Sequence, residues 1–183
     1  MRSFNIPPSL SPHPAFEGKT RLRYGACTET PDPLQILVDA DACPVKEEIY
    51  KVAGRHKVPV AVVSNSAFRI PQSSLVRRVV VSDKFDAADD WIAQEAGLRS
   101  VVITGDILLA ERCLTAGATV LAHNGKPFDA GNIGSAIATR AIMADLRAGA
   151  DGIGGGPAPF SKADRSRFLQ ELDKVLVKLG RSG

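Results

Sequence analysis

The segment that most constrains this chain runs from Ile36 to Lys46, with the sequence Ile-Leu-Val-Asp-Ala-Asp-Ala-Cys-Pro-Val-Lys. Its first three residues are continuously apolar, which is typical of a strand that is buried on both faces. Pro44 suits the first position of a helix, where its missing N–H costs nothing. Asp39 and Asp41 are therefore expected at the carboxyl end of a strand, where open parallel α/β sheets collect ligands and chemistry.

Apolar runs and amphipathic segments alternate along the rest of the chain. The predicted strands cover about residues 36–38, 58–64, 76–82, 99–104 and 118–122. The predicted helices cover about residues 45–57, 83–96, 107–116, 132–148 and 161–179. Arg77 and Arg78 in the third strand indicate an exposed or edge position. This alternation predicts a three-layer α/β fold, with a mostly parallel sheet of about five strands flanked by helices.

The length and composition predict one buried domain. Residues 1–34 are rich in proline and have no apolar periodicity, so we expect a disordered or poorly ordered leader before a single domain at 35–183 that ends in a helix. The apolar content of 44% and charged content of 23% are those of a soluble globular protein. Because no run is long enough to cross a membrane and no secretory signal is recognisable, we expect a cytoplasmic protein without a membrane partner.

Cysteine, histidine and charge give weaker signals. The three cysteines have no paired or zinc-type spacing, so a disulfide framework is not expected. Cys43 follows the first strand and is either a nucleophile or a packed thiol, and the absence of a nearby His or Asn partner favours the packed thiol. His13, His56 and His123 lie in ordinary polar contexts. The net charge of +3 permits an anionic partner without requiring one.

Aspartates follow two of the predicted strands and crowd the start of one helix. If the first and fourth strands are neighbours, their carboxylates converge at one edge of the sheet and repel one another. A hard divalent cation, Mg²⁺ or Mn²⁺, would relieve this repulsion, because both ions take oxygen ligands and keep several waters. The carboxylates that could serve as metal ligands are those of Asp39, Asp41, Asp86, Asp89, Asp90 and Asp106.

Each aspartate also has a purely structural interpretation. Aspartates at helix starts are commonly caps, and we favour that explanation for Asp86, while Asp90 is expected to be a solvated surface charge. For Asp39, Asp41 and Asp106 a functional site is favoured, because three aspartates at two strand ends are a less common coincidence.

A metal held there suits phosphodiester hydrolysis. The candidates for binding the substrate are Lys46, Asn65, Arg69, Asn132 and Arg140.

Four motifs resemble the YaiI/YqxD family of uncharacterised bacterial proteins over about residues 35–179. They are Asp-Ala-Asp-Ala-Cys-Pro-Val-Lys from 39, Phe-Asp-Ala-Ala-Asp-Asp-Trp-Ile from 85, Thr-Gly-Asp-Ile-Leu-Leu-Ala from 104, and a closing Gly-Gly-Pro followed by Pro159-Phe160 and Asp164-Arg165. That family is regarded as related to PIN-like domains, many of which are metal-dependent ribonucleases. The resemblance implies a PIN-like fold with catalytic acidic positions at Asp39, Asp89 and Asp106, supported by Asp41 and Asp86.

The sequence departs from the family pattern in three places. The family usually has proline where Leu108 stands and glycine where Lys84 stands, and the leader of residues 1–34 has no recognised counterpart. The leading hypothesis is a metal-dependent nuclease or phosphodiesterase that acts on nucleic acid, with RNA favoured. One alternative is a phosphatase of the haloacid dehalogenase type, in which Asp39 is the nucleophile and Asp41 the acid. The other is a non-catalytic module that binds nucleic acid or protein.

Overall fold

The structure, a computed structural model, describes residues 33–41, 43–84, 86–149 and 160–181, with the backbone only at 144–149. Residues 1–32 of the predicted leader, including Cys27, lie outside the described residues. So does most of the predicted connector before the last helix, at residues 150–159. None of the described helices combines the length and the apolar character needed to cross a membrane.

In the part of the chain that the structure describes, six strands form one sheet in the order β3-β2-β1-β4-β5-β6, and every neighbouring pair is parallel except β5 with β6. The strands are β1 Gln35–Asp39, β2 Val60–Ser64, β3 Val76–Val80, β4 Ser100–Ile103, β5 Thr119–Leu121 and β6 Pro127–Phe128. The helices are α1 Lys46–His56, α2 Ala87–Glu95, α3 Ile107–Thr115, α4 Ile133–Gly149 and α5 Lys162–Arg181. This confirms the predicted α/β class and the mostly parallel sheet flanked by helices.

The sixth strand is the one element that the sequence analysis did not predict. Residues 123–127 carry the signals of a turn, and β6 follows with only two residues, which is too short for an apolar period to be visible. Gly125 allows the turn because its φ of +80° is a conformation that side chains other than glycine rarely adopt.

Alternate residues of the central strand enter two separate cores. Ile36 and Val38 of β1 pack with α1 and α5, whereas Leu37 points to the opposite face and packs with α2 and α3. All three side chains are fully buried. The sheet is therefore covered on both faces, which explains why β1 is apolar at successive positions.

The two helices on the first face begin differently. α1 begins at Lys46, two residues after Pro44, and its N-cap residue Val45 makes no side-chain capping hydrogen bond. α5 begins with a capping box, in which Ser161 Oγ accepts from the Asp164 N–H at 3.1 Å and Asp164 Oδ2 accepts from the Ser161 N–H at 3.0 Å.

Strand β3 lies at the edge of the sheet, as its two arginines predict. Arg77 and Arg78 are exposed, and the Arg77 guanidinium lies 5.4 Å from the centre of the Trp91 ring. Arg78 donates to the carbonyl of Phe68 at 2.6 Å and so ties the loop after β2 to the edge strand. Positive charge on the edge strand also disfavours pairing with another chain.

Candidate functional site

Two neighbouring strands bring the first and the last of the predicted catalytic aspartates to the same edge. Strands β1 and β4 pair with Val38 opposite Ile103, so Asp39 and Thr104 come next in the same register. Thr104 Oγ1 donates to Asp39 Oδ2 at 2.9 Å and accepts from the Asp106 N–H at 2.9 Å. The fully buried threonine therefore fixes the position of both aspartates relative to one another.

Asp106 is also the N-cap of α3. Its Oδ1 accepts from the backbone N–H groups of Leu108 at 2.7 Å and Leu109 at 3.3 Å, and no described residue donates to its Oδ2. The guanidinium of Arg140 in α4 lies 3.7 Å from Oδ1. One oxygen of this carboxylate thus holds the helix, which leaves the other for a ligand.

The capping role predicts a difference between two substitutions at this position. Asp106→Ala removes the acceptor and is expected to lower the free energy of unfolding by about 1 kcal/mol, whereas Asp106→Asn keeps the cap and is expected to change it little. Urea unfolding of both variants, each compared with the parent protein, checks this. Equal destabilisation by alanine and asparagine would contradict the capping role.

Asp89 lies in the first turn of α2, near the negatively charged carboxylates of three other aspartates. Burial, and then the carboxylates of Asp39, Asp106 and Asp86 in that order, raise the pKa of Asp89 to about 6, while Arg112 opposes them. The side chain is half-buried, and no described residue donates a hydrogen bond to it. We call these four aspartates, at positions 39, 86, 89 and 106, the acidic rim.

The two remaining aspartates of this helix start differ from one another. Asp86 precedes α2 with a φ of +59° and its side chain caps no backbone N–H, so the expectation that it caps the helix is wrong. A capping side chain normally needs an extended backbone, which Asp86 does not have. Asp90 forms an exposed ion pair with Arg112 at 2.7 Å, in agreement with the predicted surface charge.

Asp41 is exposed and set apart from the acidic rim by its hydrogen bond. Its Oδ1 accepts from Ser64 Oγ at 3.0 Å, at the end of β2, and Ser64 Oγ accepts in turn from the Ser66 N–H at 3.1 Å. The largest causes of the raised pKa of Asp89 are burial and the carboxylates of Asp39, Asp106 and Asp86. Asp41 therefore lies beside the rim, toward β2.

The predicted substrate-binding residues are spread over the carboxyl edge. Lys46 lies with its Nζ 4.9 Å from the centre of the Phe68 ring, while Asn65 and Arg69 are exposed in the loop that follows β2. The Asn132 amide donates to the Pro127 carbonyl at 3.0 Å and to Asp129 Oδ2 at 2.9 Å, so both of its donor hydrogens serve local structure. Arg140 lies 3.7 Å from Oδ1 of Asp106 and so contacts a carboxylate of the acidic rim.

His123 is a candidate that the sequence analysis passed over as a turn residue. Its Nε2 is buried and has no hydrogen-bond partner among the described residues, and its ring lies so near Gly105 that a Cβ there would be 3.2 Å from Cε1. Burial lowers the pKa of His123, and the Asp39 carboxylate opposes this. The available signal was its position directly after β5, because that strand ends at the same edge as β1 and β4.

Cys43 has the properties of a packed thiol. Burial raises the pKa of Cys43 to about 11, so the thiol is protonated at neutral pH and is a poor nucleophile. The side chain packs against the core shared by α1 and α5. The expectation of a packed residue therefore fits its surroundings better than the nucleophile alternative.

The acidic rim is not a closed metal cage. Within the described residues, no three His, Cys, Asp or Glu side chains are arranged to hold a metal ion. An open groove of about 480 Å³ adjoins the rim between α3 and α4. It is lined by Ile107, Ser135, Ala136, Thr139, Arg140 and Met143.

Known proteins match this sequence over most of its length. The sequence model described as "Uncharacterized BCR, YaiI/YqxD family" matches residues 37–178. A UPF0178 protein of Sphingopyxis alaskensis is 68% identical over 146 residues, which cover 80% of this chain and 95% of that protein. UPF0178 proteins of Jannaschia sp. and Brucella ovis are 57% and 53% identical, and the matches cover 82% and 84% of this chain and 97% and 95% of those proteins. No solved structure gives a significant match.

Proposed function

We propose that this chain, which belongs to the YaiI/YqxD family, hydrolyses phosphodiester bonds in nucleic acid in a metal-dependent reaction, with RNA favoured. The observation that carries the proposal is the gathering of four aspartates from two strand ends and one helix start. The preference for RNA rests on the resemblance to PIN-like domains.

The chemistry of the acidic rim fits a divalent cation. All of its donors are carboxylate oxygens. Burial and the neighbouring carboxylates raise the pKa of Asp89, and Arg112 only partly opposes them. Mg²⁺ is commonly held by one or two carboxylates together with waters and substrate phosphate, so the absence of a closed cage among the described residues is compatible with it. Asp39, Asp89 and Asp106 would hold the ion, with Asp86 as a supporting ligand.

A bound cation of this kind polarises a phosphoryl oxygen and makes a coordinated water more acidic. The residues of the chain supply the rest of the site. Thr104 fixes the orientation of the Asp39 carboxylate, and the Arg140 guanidinium can donate to a phosphate beside Asp106. The groove that adjoins Arg140 gives the substrate room next to the rim.

Thermal unfolding during a titration with Mg²⁺ or Mn²⁺ tests the metal part of the proposal. The parent protein is expected to gain stability with rising metal concentration, because a ligand that binds only the folded state stabilises it. A variant that combines Asp39→Asn with Asp106→Asn is expected to lose this response while it keeps its fold, since asparagine preserves both the Thr104 contact and the helix cap. Asp90→Asn, a change of an exposed aspartate in the same helix start, is the matched control.

Cleavage assays on RNA and DNA follow the titration. Metal-dependent cleavage that falls in the double variant supports the proposal. If the parent protein responds to no metal and cuts neither substrate, while nucleic-acid binding survives replacement of the rim, the non-catalytic binding module becomes the better explanation.

A second candidate is phosphomonoester hydrolysis through an aspartyl-phosphate on Asp39. The observation that favours it is the hydrogen bond between Asp41 and Ser64, which holds a second carboxyl group at the end of the same strand. Fluoroberyllate mimics an aspartyl-phosphate. Its stable attachment at Asp39, detected by a shift in thermal unfolding that Asp39→Asn abolishes, would favour this candidate over the nuclease.

A further inference from the structure

We propose that Arg165, held by Glu48 and stacked on Phe160, binds a backbone phosphate of the nucleic acid on the side of the acidic rim formed by α1 and α5. This inference rests on the proposed function and adds to it a phosphate contact distinct from the predicted Arg140 side. It also specifies the course of the substrate, which would cross the edge of the sheet from α4 toward α5.

Glu48 is an unusual residue for the first turn of a surface helix, because it is only 6% exposed. Its Oε1 accepts from Arg165 Nη1 at 2.8 Å, while its Oε2 is buried and has no hydrogen-bond partner among the described residues. A buried carboxylate with a single charged partner binds that partner strongly, since separation would leave the charge uncompensated. Glu48 therefore fixes one end of the Arg165 guanidinium.

A ring contact also orients the Arg165 guanidinium, and it leaves N–H groups free to donate to a ligand. Its central carbon lies 5.3 Å from the centre of the Phe160 ring, within the range of a cation–π contact. The Arg165 side chain is still 45% exposed, and beyond Glu48 it donates to no other described residue. An arginine that is oriented in this way presents its remaining N–H groups as a fork, which matches the oxygens of a phosphate.

Two observations place this fork at the carboxyl edge of the sheet. Strand β1 ends at Asp39 and α1 begins at Lys46, with Glu48 in its first turn, so the Glu48–Arg165 pair lies at the carboxyl end of β1. The start of α5 is also fixed against the turn after β5, because Arg167 Nη1 donates to the Asn124 carbonyl at 3.4 Å. The first turns of α5 thus extend from the segment after β1 to the segment after β5.

A second cation on the same side is arranged in a similar way. Lys46 in the first turn of α1 lies over the half-buried Phe68 ring. Cations supported by aromatic rings therefore border the rim on this side, whereas the rim itself is acidic. This distribution suits a polyanion, because the aspartates would hold a cation at one phosphate and the neighbouring phosphates would meet positive charge.

Binding of a labelled, non-cleavable 2′-O-methyl oligoribonucleotide, followed by fluorescence anisotropy in Mn²⁺ over a series of salt concentrations, tests the inference. Arg165→Gln is expected to weaken binding about 10-fold and to reduce the slope of log affinity against log salt by about 0.7, the value for one lost contact to a single strand. Lys174→Gln removes the same charge from an exposed position of the same helix and is the matched control, with an expected change of less than about twofold.

A second variant separates a phosphate contact from a merely structural role. Arg165→Gln alone leaves Glu48 buried without its partner, so the double variant Glu48→Gln with Arg165→Gln is measured beside it. If Arg165 binds phosphate, the double variant recovers thermal stability but not oligonucleotide affinity. Recovery of both would overturn the inference, and so would an unchanged affinity of Arg165→Gln. A parent protein that binds no oligonucleotide would overturn the proposed function together with the inference.

Discussion

Asp89→Asn is expected to stabilise the metal-free protein at neutral pH by about 1–2 kcal/mol, which would raise Tm by about 2–8 °C for a chain of this size. The physical reason is that the folded state partly buries this carboxylate and places it near three others, and both effects raise its pKa from the ordinary 3.8 to about 6. Ionisation of Asp89 therefore costs folding free energy, which asparagine does not. Solvent screening of the half-buried group keeps the expected gain below the full value.

The sign of the pH dependence follows from proton binding. Between about pH 4 and pH 6 the folded state holds more of the Asp89 proton than the unfolded state, so stability falls as the pH rises through this window. The advantage of Asp89→Asn should be small at pH 4 and complete above pH 6. Thermal unfolding of both proteins in chelator at several pH values measures it, with Asp90→Asn as the control.

Saturating Mn²⁺ should reduce or reverse the stability advantage of Asp89→Asn over the parent protein. The reason is that the parent protein would gain a cation at the rim that the variant binds less well. A variant that is less stable than the parent without metal would contradict the assignment of Asp89 to a repulsive cluster. The combination of a metal-free cost and a metal-dependent gain is typical of a functional site, and an ordinary surface aspartate produces neither.

The convergence of the rim aspartates was predictable because it depends on connectivity. Apolar runs located the five parallel strands, and parallel strands joined by helices place all their carboxyl ends at one edge. Asp39 and Asp106 had to come close once β1 and β4 proved to be neighbours. Asp89 was found through the family resemblance, and its place in the first turn of α2 brings it to the same edge.

Other features depend on contacts that local sequence does not encode. Glu48 has the sequence of an exposed first-turn acid, but α5 buries it, and its partner Arg165 lies 117 residues further along the chain. Asp86 has the residue type of a cap, but its left-handed backbone turns the side chain away from that role. The Nε2 atom of His123 is buried only because the chain after β5 places the imidazole ring against Gly105. In each case tertiary packing decided between two locally reasonable states.

Asp39→Asn is expected to reduce metal-dependent cleavage about 100-fold or more, whereas Asp41→Asn should reduce it by less than about fivefold. An asparagine side chain in place of Asp39 can still accept the hydrogen bond from Thr104, so the first change removes charge from the rim and leaves the local structure in place. Asp41 is exposed and turned toward Ser64, outside the acidic rim, so its charge matters less to a cation held there.

This pair of variants also separates the two proposed enzyme classes. In a phosphatase that forms an aspartyl-phosphate, the second carboxyl group acts as the acid, and its loss costs about as much as a general acid contributes, roughly 10²–10⁴-fold. Initial rates on single-stranded RNA and on a phosphomonoester, measured for the parent and both variants at saturating Mn²⁺, make the comparison. If Asp39→Asn greatly lowers the rate and Asp41→Asn does not, the nuclease is favoured, because the nuclease mechanism does not need the charge of Asp41. Equal, large losses would favour the phosphatase, since that mechanism alone needs both carboxyl groups.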